Sequence, residues 1–241
     1  QPDKRVVFAV PYHGGTTMIG TTDITVERPG DAVIDASEIA YLLHAANLYF
    51  KRQIGEADIV NTWSGIRPLY NDGASEAQEI TRDYVLELDD AGAPILSVFG
   101  GKITTARHLG EEAVARLAAA TGKPATPQTR ERALPGGYLG TSLAGFIEAQ
   151  CKRWPWLGHA QTKRMAGAYG TMMADVIGDA ASALDLGTDF GGGLTAREVD
   201  WLVSHEWAMT ADDILWRRSK LGLSLDKGAA DAITAYLTQS V

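Results

Sequence analysis

The sequence predicts an α+β chain in two parts: a strand-rich first half built on antiparallel pairs, then a small all-α domain. Three observations carry this. Runs rich in β-branched and aromatic residues, bounded by glycine turns, fall before residue 100. The stretch from Thr121 to Gly137 holds Pro124, Pro127, Pro135 and a glycine pair without apolar periodicity, as a linker would. Beyond it almost every apolar pattern has helical spacing. The expected boundaries are 1–122 for the mixed part, 123–137 for the linker and 138–241 for the helical domain.

Val6–Val10 and Thr17–Gly20 flank Pro11-Tyr12-His13-Gly14-Gly15 and read as a hairpin. Asp35 with Glu38 three residues on matches a capping box, and Ile39, Leu42, Leu43, Ala46 and Phe50 follow on one face, predicting a helix of about 15 residues. Strands are expected at Ile59–Ser64, Tyr84–Leu88 and Ile95–Phe99, with Asp89-Asp90-Ala91-Gly92 turning between the last two. Gly100-Gly101-Lys102-Ile103-Thr104-Thr105 then leads into a helix through Ala106, Leu109, Ala113 and Leu117 that stops near Gly122. In the second half, Ser142 caps a helix through Cys151. Thr195 with Glu198 and Thr210 with Asp213 mark two more starts, the latter running to Gly222, and Leu225, Ala229, Ile233 and Leu237 mark the last helix.

With 45% apolar and 22% charged residues in 241, the composition is that of a folded domain. A net charge of -8 argues against a general nucleic-acid binder, which needs excess Lys and Arg to displace counterions. A single cysteine, Cys151, excludes an intramolecular disulfide framework and paired-cysteine zinc sites. No run approaches the roughly 20 apolar residues of a membrane-spanning helix. Gln1 stands where Met would begin a reading frame, and a core strand follows almost at once, so the chain is expected to be a fragment.

The glycine turn Gly100–Thr105 is the most suggestive local stretch. Paired glycines let a ligand approach the backbone, and free N–H groups at a helix start attract negative charge or a ligand carbonyl. An ordinary tight turn with a solvated lysine fits the same residues. Arg67 interrupts the apolar stretch Trp63-Ser64-Gly65-Ile66-Arg67-Pro68-Leu69. Such a guanidinium either pairs with a protein carboxylate, the commoner case, or meets an anionic ligand. Arg82 poses the same choice, and Asp83 is a poor partner for it if a strand has begun there. His13 sits in the hairpin turn; His44 and His108 lie on helices, and no His–Glu spacing suits a metal. Cys151 reads as an inert core thiol, and Trp154, Trp156, Trp201, Trp207 and Trp216 read as helical-core aromatics.

In order along the chain come Ile19-Gly20-Thr21-Thr22-Asp23, Trp63-Ser64-Gly65-Ile66-Arg67-Pro68-Leu69, Thr81-Arg82-Asp83-Tyr84, Leu96 through Thr105, Leu134-Pro135-Gly136-Gly137 and Leu215 through Leu223. Together these stretches resemble the flavin-dependent, quinone-linked glycerol-3-phosphate dehydrogenases, within the amino-acid-oxidase-like flavoproteins. The resemblance implies a substrate cap with an antiparallel sheet over residues 6 to about 70, a return to the flavin-binding domain over 83–120, and a small helical domain from 136. It implies oxidation of sn-glycerol 3-phosphate to dihydroxyacetone phosphate by hydride transfer to FAD, with electrons passed to a quinone. Arg67, Arg82 and Lys102 are then expected to bind the phosphate and the substrate oxygens. Gly65, Gly100, Gly101, Lys102, Ile103 and Thr104 are expected to meet FAD. The family's Gly-x-Gly-x-x-Gly pyrophosphate turn is absent from these 241 residues, so the chain alone is expected to be inactive. The catalytic base is unassigned and no metal is expected. The resemblance further implies a cytoplasmic protein, peripheral on the inner face of the membrane, and leaves a homo-oligomer open. A related flavin oxidase acting on another small anion, and a non-catalytic interaction module, are the competing readings.

Overall fold

Asp35 caps the first helix as its spacing to Glu38 requires. In the computed structural model, which describes residues 5–28, 30, 32–67, 70 and 83–239, Asp35 Oδ1 accepts the N–H groups of Ser37 and Glu38 at 2.8 and 2.9 Å, and Glu38 Oε2 accepts that of Asp35 at 3.0 Å. Helix α1 therefore spans Ala36–Asn47. It stops short of Phe50 because the Asn47 side chain turns to exchange two hydrogen bonds with the backbone of Ile54, each 2.9 Å.

The chain divides into two compact units. One comprises the residues up to Pro11 with Thr17–Arg132, and the other Tyr12–Thr16 with the chain from Ala133 on. The predicted hairpin forms, with β1 (Phe8–Pro11) antiparallel to β2 (Thr17–Gly20) and Val10 opposite Met18. A second pair, β3 (Tyr84–Asp89) and β4 (Ile95–Gly100), sets Tyr84 opposite Gly100 and Asp89 opposite Ile95. Asp89 Oδ1 accepts the Ala91 N–H at 3.0 Å and closes the turn between them. A 3₁₀ turn at Ile103–Thr105 leads into α2 (Ala106–Thr121), which ends at the left-handed Gly122 and packs on both strands. The strand expected at Ile59–Ser64 is not formed. Those residues are extended in composition, but a strand needs a ladder, and none of the described residues pairs with them.

The first unit has little core of its own. Among the described residues, only Ala45, Ala46 and Leu86 are buried apolar groups there, while Val6, Phe8, Val60, Trp63 and Ile95 are exposed. Isolated two-stranded pairs are marginal in water. The second unit is the opposite case, with a continuous core that runs from Phe146 through Met173, Leu194 and Ile214 to Ile233.

That core is enclosed by α3 (Leu143–Arg153), α4 (His159–Tyr169), α5 (Met173–Ile177), α6 (Ala196–Glu206) and α7 (Lys227–Gln239). Ser142 Oγ caps α3 through the Gly145 N–H at 3.2 Å. Thr210 and Asp213 cap each other's backbone N–H groups at 3.0 and 3.1 Å, but the turns they start are π-helical over Asp213–Arg218. The wider turn brings the Ser219 N–H and Oγ onto the Ile214 carbonyl at 2.9 and 2.7 Å. Two aromatic assignments need correction. Trp207 ends α6 in the left-handed region and is 85% exposed, and Trp216 is also largely outside the core. Cys151 is free and only partly buried on α3.

Candidate functional site

Residues of the site come from two local assemblies in the first unit. In one, Glu38 of the α1 capping box also accepts a hydrogen bond from the Thr22 hydroxyl, which tethers the segment after β2 to the helix start. The neighbouring Asp23 is then placed to accept from Arg67 Nη1 at 2.5 Å through Oδ2. Both side chains remain partly exposed. Arg67 thus has a protein carboxylate as partner, one of the two outcomes its sequence position allowed. Gly65, two residues earlier, is exposed, and a Cβ there would meet the Trp63 ring at 4.0 Å.

The second assembly is the glycine turn. Gly100 and Gly101 have φ of +71° and +97°, a region that L side chains avoid. A Cβ on Gly101 would also lie 3.4 Å from Tyr84 Cβ and 3.7 Å from Leu109 Cδ2, so the turn sits directly on β3 and α2. Thr105 Oγ1 donates to the Lys102 carbonyl at 3.0 Å, and the Thr105 N–H reaches the same oxygen at 3.0 Å. The N–H groups of Ile103 and Thr104 have no acceptor among the described residues, and Ile103 is 90% exposed. Lys102 is exposed, with no ion pair among the described residues. Arg82 lies outside the described residues. Arg67 is held by Asp23 and Lys102 by the glycine turn before the 3₁₀ segment, so the two cations are positioned by different local contacts.

Sequence reasoning overlooked what holds the turn. The Tyr84 hydroxyl donates to Glu112 Oε2 at 2.7 Å, Arg116 Nη2 donates to Glu112 Oε1 at 2.8 Å, and Arg116 Nη1 donates to the Leu86 carbonyl at 3.0 Å. The i, i+4 spacing of Glu112 and Arg116 was a readable signal. The hydrogen bond to Glu112 pushes the Tyr84 phenol up to about 12, and the Glu112 carboxyl is held below its ordinary value first by Tyr84 and then by Arg116. No group of three or more His, Cys, Asp or Glu among the described residues could hold a metal ion.

Residues 1–107 match the family described as FAD dependent oxidoreductase, and residues 127–239 match the C-terminal domain of alpha-glycerophosphate oxidase. The chain is 43% identical to a glycerol-3-phosphate dehydrogenase of Pseudomonas aeruginosa, over 98% of this chain and 46% of the relative. It is 40% identical to the aerobic glycerol-3-phosphate dehydrogenase of Escherichia coli, over 98% of this chain and 48% of that one. A D-erythritol 1-phosphate dehydrogenase of Brucella abortus is also 40% identical, over 97% of this chain and 47% of its own length. The chain spans about half the length of the curated relatives it matches.

The glycine turn is chemically compatible with the FAD that the first family description names: two successive positive-φ glycines leave the backbone bare, and two N–H groups with no acceptor among the described residues suit the carbonyl edge of a flat heteroaromatic ring.

Proposed function

We propose that the protein oxidises the C2 alcohol of sn-glycerol 3-phosphate to dihydroxyacetone phosphate and passes the electrons to a quinone. The glycine turn carries this reading: Gly100 and Gly101, both left-handed, run through Lys102 into N–H groups of Ile103 and Thr104 that have no acceptor among the described residues. FAD supplies the hydride acceptor. The residues of this chain orient and neutralise. Lys102, Arg67 and Arg82 meet the phosphate and the substrate oxygens, and a planar guanidinium matches two phosphate oxygens at once. Asp23 fixes one edge of the Arg67 fork, so that less side-chain entropy is lost when the anion binds. The C2 carbon loses a hydride and its hydroxyl loses a proton to a base; the quinone becomes a quinol.

The relatives' names support a polyol phosphate as substrate, and two of the three name glycerol 3-phosphate. A quinone acceptor would put the protein on the inner face of the membrane from the cytoplasmic side. Among the described residues no helix is long and apolar enough to cross it.

The deciding experiment uses the full-length protein purified with its flavin. Glycerol 3-phosphate is expected to bleach the flavin absorbance and to support turnover with a soluble quinone, and glycerol without the phosphate is expected to do neither. Colourless protein that cannot be reconstituted with FAD, or equal turnover of glycerol, overturns the reading. Faster turnover of erythritol 1-phosphate reassigns the substrate within the same class.

A further inference from the structure

The Gly100–Gly101 turn has no side chains of its own to hold it, and yet its N–H groups can act on a ligand only if their direction is fixed. Three side chains outside the turn supply the constraint. Tyr84 begins β3 directly opposite Gly100, and its Cβ lies where a Cβ on Gly101 would meet it at 3.4 Å. Its hydroxyl crosses to Glu112 on the second turn of α2 at 2.7 Å. Arg116, one turn further along α2, returns from Glu112 to the carbonyl of Leu86 on β3, at 2.8 and 3.0 Å. Strand β3, which pairs with the strand that ends at the glycine turn, and helix α2, which follows the turn, are therefore clamped by one chain of hydrogen bonds, with Tyr84 opposite Gly100 at the turn itself. Leu86, the carbonyl partner, is the buried apolar residue of β3.

We propose that Tyr84, Glu112 and Arg116 are positioning residues for the cofactor: they fix the Ile103 and Thr104 N–H groups so that negative charge developing on the flavin is stabilised. The inference rests on the proposed function above, because it needs the flavin at this turn. None of the three need touch the cofactor. A clamp that merely stabilised the fold would change melting temperature and leave the bound flavin's chemistry alone. A clamp that aims donors changes the balance between the two oxidation states, since the reduced state, with its added negative charge, gains more from the aimed N–H groups than the oxidised one.

The test uses full-length holoenzyme with Tyr84→Phe and Glu112→Gln, which keep ring packing and side-chain size while breaking the chain of bonds. Tyr169→Phe serves as the control: it removes a tyrosine–glutamate bond of the same kind, Tyr169 to Glu198 at 2.7 Å, within the helical unit. The readouts are the two-electron midpoint potential of the bound flavin and the thermal unfolding midpoint. Tyr84→Phe and Glu112→Gln are expected to weaken reduced flavin relative to oxidised flavin about tenfold, a drop of about 30 mV for two electrons. Tyr169→Phe is expected to lower the melting temperature and leave the potential where it was. If the wild-type protein holds flavin and both clamp variants keep its potential, the positioning role is overturned and the clamp is structural only. If wild-type protein holds no flavin, the functional reading itself fails, which is a separate outcome. Should Tyr84→Phe not fold, Glu112→Gln alone decides by the same potential.

Discussion

Arg67 donates from Nη1 to Oδ2 of Asp23 at 2.5 Å, across 44 residues of sequence, and this single pair joins two motifs that lie far apart in the chain. Thr22, the residue before Asp23, donates to Glu38, so this segment is tied to the start of α1. In the proposed reading the remaining edge of Arg67 meets the substrate phosphate. Arg67→Ala is then expected to lower kcat/KM for glycerol 3-phosphate by about 10²-fold, the loss of one to two charge-assisted hydrogen bonds. Asp23→Ala is expected to raise KM several-fold with a smaller change in kcat, since the cation survives but its fork is no longer fixed. Steady-state kinetics on the full-length enzyme checks both. An unchanged KM in Arg67→Ala would remove Arg67 from the site.

Tyr84 and Glu112 give a prediction about pH that needs no substrate. Glu112 is held below its ordinary value of 4.5, so its contribution to stability is whole above that value and is lost as pH falls through the lower folded value. Tyr84 is pushed up to about 12, so its contribution is whole below its ordinary value of 10.0 and is lost as pH rises through about 12. With tyrosine ring carbons labelled, NMR is expected to show one phenol that titrates near 12, and Glu112→Gln is expected to return it toward 10. A tyrosine spectrum that does not change with Glu112→Gln would refute the bond.

Much of this architecture was readable because its signals are local. Asp35 with Glu38, Ser142 before α3 and Thr210 with Asp213 each place a polar side chain within hydrogen-bond reach of a helix start, whatever the rest of the chain does. The glycine turn was readable for the same reason. Other features depend on distant partners. Glu198 follows Thr195 at capping-box spacing, and the helix does start at Ala196, yet Thr195 makes no side-chain cap bond and the Glu198 carboxylate is taken by Arg164 from α4. Ile59–Ser64 has strand composition, but none of the described residues offers it a ladder. Trp207 was assigned to a core by residue type, whereas its place beyond the last turn of α6 turns it to solvent. Arg67 exposed the limit most clearly, because both of its possible partners were charged and only the fold could show that Asp23 is within reach.

Gly136 makes a prediction about the segment that joins the two halves. Its φ is +78°, and a Cβ there would overlap the carbonyl of Tyr169, while its own carbonyl accepts the Thr171 N–H at 3.0 Å. Gly170 is equally confined from the other side, since a Cβ there would overlap the Gly136 carbonyl. The two backbones are in contact with no room for a side chain between them. Gly136→Ala is expected to destabilise the helical unit by about 2–4 kcal/mol, from overpacking together with the left-handed backbone. Gly140→Ala, also at positive φ but with open space around it, is expected to cost only about 1 kcal/mol, the strain of the backbone alone. Chemical denaturation of the two variants separates close approach from backbone strain, and equal losses would dismiss the close approach.

Glu198 is 1% exposed, and its burial is tolerable only because every oxygen is used. Arg164 donates to both carboxylate oxygens, at 2.7 and 2.6 Å, and the Tyr169 hydroxyl donates to Oε1 at 2.7 Å. Arg164 Nη2 also reaches the Gly193 carbonyl at 2.7 Å, which Gln161 Nε2 shares at the same distance, so the pair fixes the glycine loop after Phe190 to α4. Burial acts to lower the Arg164 pKa, and the hydrogen bonds and charge of Glu198 overcome it, so the guanidinium stays charged; burial and Glu198 both push the Tyr169 phenol well above its ordinary range. The network is already short of one bond, since Arg164 Nε has no partner among the described residues. Glu198→Ala would strand a largely buried cation and a phenol together, and it is expected to cost about 3–5 kcal/mol of stability. Tyr169→Phe leaves the ion pair intact and is expected to cost about 1–2 kcal/mol. Arg164→Met with Glu198→Leu removes both charges at once and is expected to recover most of the loss, because desolvation of the pair offsets much of its attraction. Urea unfolding of the three variants checks the order. A double variant less stable than Glu198→Ala would mean that the pair contributes net stability beyond its own desolvation, and that the glycine loop depends on it.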